Sequence, residues 1–190
     1  DLGETQTNDS QIRSSNHLTL EALFKSNGAN TIQMGVVKDD MDSITKLIET
    51  ALLTSDIVVT TGGVSVGDYD FVQDVIKDKL KAEVLFHGVN LKPGMHILLA
   101  LKDNKIIVAL PGFAYSSTVC AMLYVLPLIY KFRNSNEKLP LVKARINQDF
   151  SRFQAKTIFT ACNVEYKNGE YQINFDGKKS GTSAILTNML

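Results

Sequence analysis

"DIVVTTGGVSVGDYDF", residues 56–71, is the stretch on which the fold turns. Ile57 to Thr61 are all β-branched and run without polar alternation into Gly62-Gly63. Such a run, ended by glycines, is the pattern of a parallel strand buried on both faces. Glycine lets the backbone turn sharply there and lets a ligand come close. Asp68 and Asp70 then bracket Tyr69 and open the next apolar-periodic segment, "DYDFVQDVIKDKL". In an open α/β sheet, ligands gather outside the carboxyl ends of the strands, where this turn would lie.

Working outward, helix and strand patterns alternate. "NHLTLEALFKSNG" places Leu18, Leu20, Leu23 and Phe24 at helical spacing and stops at Asn27-Gly28. "ANTIQMGVV" reads as a strand. "DDMDSITKLIETALLTS" opens with acidic residues suited to a helix N-terminus, and repeats Ile44, Leu47, Ile48, Ala51 and Leu52 at helical spacing. "AEVLFHGV" is a strand, and "HILLALKDNKIIVALPG" is a pair of strands around the hairpin signal Asp103-Asn104. "AYSSTVCAMLYVLPLIYKF" is an apolar helix kinked or ended near Pro127. The alternation predicts a mostly parallel sheet with helices on both faces. Composition shifts at "RNSNEKLP", and "YKNGEY" beyond it carries an Asn-Gly hairpin turn. We expect an α/β domain over 1–135, a linker at about 134–139, and a small, incomplete β domain over 139–190.

At 190 residues and 44% hydrophobic, the chain can build a real core. Twenty basic residues balance twenty acidic ones, which argues against a nucleic-acid surface and leaves room for a local anion pocket. Cys120 and Cys162 lack metal-ligand spacing and read as small buried hydrophobes, in keeping with a reducing cytoplasm. The apolar stretch containing Pro127 reads as too short to span a bilayer, so no membrane is expected. The chain starts at "DLGETQ", without methionine, and reads as a piece of a longer protein.

Backbone amides of a glycine turn favour a phosphate. Asp68 and Asp70 put negative charge in the same place, a conflict that a hard divalent cation such as Mg²⁺ resolves. Asp39 and Asp40 follow another predicted strand and would open at the same edge. The plainer reading of each aspartate is a helix cap.

"TTGGVSVGDYDFV", with "QIRSSN" and "VVKDDMD" before or between and "LFHGVNLKPG" and "ALPG" after, resembles MoeA, the molybdopterin molybdenumtransferase family homologous to the E domain of gephyrin. The likeness runs from about residue 9 to 117. It implies a three-layer α/β domain followed by a β-barrel-like domain. It also implies a chemistry: molybdate is placed on the dithiolene of adenylated molybdopterin, and AMP is released. The resemblance assigns Asp39 and Asp70 to the Mg²⁺ and catalytic carboxylates and Lys92 to the anions. Gly62, Gly63, Ser65, Gly67, Asp68, Pro111 and Gly112 would line the pterin phosphate or nucleotide, with Ser183 near molybdate. It further implies a cytoplasmic homodimer and the adenylyltransferase of the same pathway as a partner. Two earlier domains and a Thr-Gly-Asp-Glu-Leu block would precede this chain, so the piece alone would be inactive. The sequence departs at "KPGMH", where the family has Lys-Pro-Gly-Lys-Pro, and at "PGFAYS", where it has Pro-Gly-Asn-Pro-Val-Ser. Met95, His96, Phe113, Ala114 and Tyr115 thus change the expected pocket rim, while His87 reads as a partly buried strand residue. The alternatives are an adenylyltransferase of the MogA type, disfavoured by the Val-Ser-Val-Gly-Asp-Tyr-Asp block, and a non-catalytic scaffold like gephyrin.

Overall fold

The computed structural model describes residues 14–64, 71–151 and 155–178. Helix α1 (Asn16–Ser26) and helix α2 (Met41–Thr54) precede strand β1 (Ile57–Thr61). Helix α3 (Val72–Asp74) runs into a π turn at Val75–Lys79. Strands β2 (Glu83–His87), β3 (Leu91–Lys92), β4 (Leu98–Lys102) and β5 (Lys105–Leu110) follow. Then α4 (Ala114–Cys120), a π turn at Ala121–Val125 and α5 (Leu126–Phe132) form one continuous helical stretch.

The main sheet has the order β1-β5-β4-β2. β1 and β5 are parallel, Val59 opposite Val108, but β4 is antiparallel to both β5 and β2. The sheet is therefore mixed and not mostly parallel. The cause is the Asp103-Asn104 turn, whose residues sit at φ 50 and 62 and fold β5 straight back on β4. The strand expected over 29–37 makes no ladder among the described residues. Gly35 turns to φ 85, and Ile32 and Val36 are exposed, although Met34 and Val37 still pack on the core.

Successive residues of a strand face opposite sides, and β5 serves two cores in this way. Ile107 and Ala109 join Ile44, Ile48 and Ala51 of α2 and Val72, Val75 and Ile76 of the α3 region. Val108 and Leu110 join Leu20 and Phe24 of α1 and Cys120, Val125 and Ile129 of the long helix. By length and composition that 19-residue helix could cross a membrane, contrary to the sequence expectation. It does not end at Pro127, because the π turn before it accommodates the missing amide donor. Its apolar stripe (Cys120, Ala121, Val125, Leu126, Ile129, Tyr130) is spent on the sheet, which makes it a core helix.

Beyond residue 134 the described residues hold β6 (Ala144–Ile146), β7 (Thr157–Ile158), β8 (Asn163–Lys167) and β9 (Glu170–Asn174). The order β6-β9-β8 makes an open three-stranded sheet, and no closed barrel forms among the described residues. The expected Asn168-Gly169 hairpin is present, with φ 52 and 84. Pairing segregates this sheet completely. Ala144, Ile146, Val164, Tyr166, Tyr171 and Ile173 share one face, while Arg145, Glu165, Lys167, Glu170 and Gln172 share the other. On the apolar face Val164 and Tyr166 remain more than half exposed.

Candidate functional site

The parallel pair β1 and β5 ends in two turns that touch. Gly62 and Gly63 follow β1 at φ 85 and 66, and Gly62 donates its amide to Leu110 O at 3.0 Å. Pro111-Gly112 follows β5. A side chain at Gly112 would sit 3.4 Å from Gly62 Cα, so small residues allow the two backbones to approach. At Gly63 a Cβ would lie 2.7 Å from Val72 Cγ2, and Val72 N bonds Gly63 O at 3.1 Å. Among the described residues, Thr60 Oγ1, just inside the strand end, is buried without a hydrogen-bond partner. The exposed Phe113 precedes the first turn of α4, and Ser117 N bonds Phe113 O.

Lys92 is linked to α4 through the backbone of Phe159. Its strand β3 pairs with β7, Lys92 opposite Ile158, and Lys92 O accepts from Phe159 N at 2.8 Å. Tyr115 of α4 donates its hydroxyl to Phe159 O at 3.3 Å. Burial, and after it the nearby Cys162, raises the Tyr115 pKa, so the phenol stays protonated as a donor. Gly94 is pressed on the same helix, since a Cβ there would lie 2.3 Å from Cys120 Sγ. Burial pushes the Cys120 thiol up to about 12. Lys156, which the sequence reading missed, brings its ammonium to 2.9 Å from Met95 Sδ. At the position where the resemblance predicted a second lysine, a cation thus arrives from the chain beyond the linker. Neither Lys92 nor Lys156 has an ion-pair partner among the described residues.

The carboxylates divide. Asp40 is the cap of α2, accepting from Ser43 N at 2.8 Å, and these bonds to Ser43 lower its pKa. Asp39 is exposed and has no hydrogen-bond or ion-pair partner among the described residues, so the cap reading fails for it. Ser65, Gly67, Asp68, Asp70 and Ser183 lie outside the described residues. His87 is half-buried on β2, with Nε2 buried and unpartnered among the described residues. The structure therefore brings Gly62, Gly63, Pro111 and Gly112 together, and joins Lys92 to α4 only by way of Phe159. Asn16, at the end of "QIRSSN", is a further residue of this site that the sequence does not single out: its Nδ2 donates to Gly112 O at 2.7 Å. Neither Asn16 nor Lys156 carries a local signal, because each contact joins distant parts of the chain. Backbone amides of a glycine turn at the carboxyl end of a strand can hold a phosphate-bearing ligand.

Residues 3–131 match the family described as a probable molybdopterin binding domain. A molybdopterin molybdenumtransferase of Staphylococcus aureus strain Mu50 is 35% identical over 152 residues, 80% of this chain and 36% of that protein. One of Staphylococcus epidermidis is likewise 35% identical, over 78% of this chain and 36% of its own. The crystal structure of a molybdopterin biosynthesis MoeA protein of Pyrococcus horikoshii superposes with a TM-score of 0.76 at 27% identity, covering 97% of this chain and 44% of that one. A CinA protein of Thermoplasma acidophilum, at 17% identity and TM-score 0.54, shares the fold over 60% of this chain and 88% of its own. The chain spans about a third of the length of the curated relatives it matches.

Proposed function

Because the chain belongs to the molybdopterin-binding family that includes the MoeA molybdenumtransferases, we propose that it forms part of an enzyme that transfers molybdate to adenylated molybdopterin and releases AMP. The observation that carries this reading is the meeting of Gly62-Gly63 and Pro111-Gly112 at the carboxyl ends of β1 and β5. In this reading the turns receive the phosphates through amides other than that of Gly62, which is bonded to Leu110 O. Lys92 and Lys156 balance the charge of two anionic reactants and hold the oxyanions in place. Asp39 and Asp70 take Mg²⁺. The donor chemistry fits, since Asp39 is an exposed hard-oxygen ligand with no competing partner among the described residues. Those residues contain no group of three ligating side chains, which leaves the other donors to Asp70 and the substrate. Mg²⁺, when bound, neutralises charge as the phosphoanhydride opens.

The same reading takes the α/β body as three-layered and the region from 139 on as a β domain. It makes the whole protein a cytoplasmic homodimer served by the adenylyltransferase of the pathway. Met95 and the exposed Phe113 support a second reading, a scaffold that keeps the fold without turnover. The test is AMP release by the full-length protein given adenylated molybdopterin, Mg²⁺ and molybdate. Asp39→Asn and Asp70→Asn should each abolish it with the fold intact. The double variant should be little worse than either single one, because residues acting as a unit are not additive. Normal turnover in both single variants would reject the assigned carboxylates, and no AMP from the wild type would favour the scaffold.

A further inference from the structure

Asn16 closes the block "QIRSSN" and reaches one of the two glycine turns. It is the first residue of α1, and Ser15 before it makes no side-chain cap. Asn16 spends its amide elsewhere: Nδ2 donates to Gly112 O at 2.7 Å, across 96 residues of sequence. The start of α1 is itself braced, because Gln33 Nε2 donates to His17 O and to Glu21 Oε2, both at 3.1 Å. Gly112 in turn lies against Gly62, whose amide is tied to Leu110 O. The braced helix start is thus bonded to one turn, and that turn packs against the other.

We propose that Asn16 is a positioning residue, setting the spacing of the two glycine turns that receive the anionic substrate. This rests on the molybdenumtransferase reading. A neutral primary amide suits the task, since it offers N–H to a carbonyl and adds no charge beside an anion site. A carboxylate of the same shape would face Gly112 O with acceptors only, and alanine would leave that carbonyl to water. Placement matters because a misplacement of about 1 Å at a reacting centre can cost on the order of 10²-fold in rate.

The experiment uses the full-length protein with Asn16→Ala and Asn16→Asp. Hydrogen exchange is followed at 61–64 and 110–113, together with kcat and KM for AMP release and the melting temperature. We expect faster exchange at both turns and a kcat lowered by about 10-fold or more. The loss should be larger for Asn16→Asp, while Asn16→Ala melts within a few degrees of wild type. Unchanged exchange in both variants overturns the proposal, as does faster exchange with unchanged kcat and KM, which would make the bond merely structural. Should Asn16→Asp not fold, Asn16→Ala decides alone. If the wild type releases no AMP, the functional reading fails by itself, and the exchange data still decide whether Asn16 sets the spacing.

Discussion

Gly63 shows how much a single position carries. Its φ of 66 and the 2.7 Å approach of Val72 Cγ2 to any added Cβ combine backbone strain with a clash against a stiff, buried side chain. Gly63→Ala should therefore cost about 2–3 kcal/mol, read as a fall in melting temperature by calorimetry. Cys120 gives a second expectation. Its thiol, held near 12 by burial, stays neutral, so a thiol reagent at pH 8 should modify Cys162 and leave Cys120 until the protein unfolds. The sign of the pH effect follows. Between the ordinary thiol value of 9.0 and about 12 the unfolded chain loses this proton and the folded one keeps it, so stability drains as pH rises through that window. The glycines were legible in the sequence because a turn has a local signature. Asn16 and Lys156 were not, because their meaning is a contact made by the whole fold.

At the scale of elements, helices α1 and α2, strand β1 and both hairpins could be read from periodicity and turn residues. The failures have physical causes. A single positive φ at Gly35 interrupts the weakly alternating segment 29–37, and strand direction is decided by connections rather than by composition. The two-residue strand β7 carried no sequence signal, yet it links the region beyond 139 to Lys92. Tyr115, one of the departures from the family pattern, secures it through Phe159 O. Tyr115→Phe should remove about 0.5–1.5 kcal/mol and speed amide exchange in 155–159 while sparing the β1–β5 ladder. Equal exchange in both proteins would show that the hydroxyl bond contributes nothing.

At the scale of the molecule, the expected division near 134–139 coincides with a stretch free of regular structure, from 135 to 143. Lys138 is exposed there and Leu141 is 90% exposed, so limited trypsin should cut first after Lys138. A first cut within 57–67 would reject that boundary. The shift in composition near 134 is local and visible in the sequence, whereas the segregated three-stranded sheet beyond it emerges only once register is known. That sheet has a bearing on how the chain behaves in a tube. Water wets a surface of Val164, Tyr166, Tyr171 and Ile146 poorly, and salts excluded from protein surfaces increase the penalty. The chain prepared alone should salt out at lower ammonium sulfate than a variant carrying Val164→Thr and Tyr166→Thr, and should brighten a dye such as ANS more strongly.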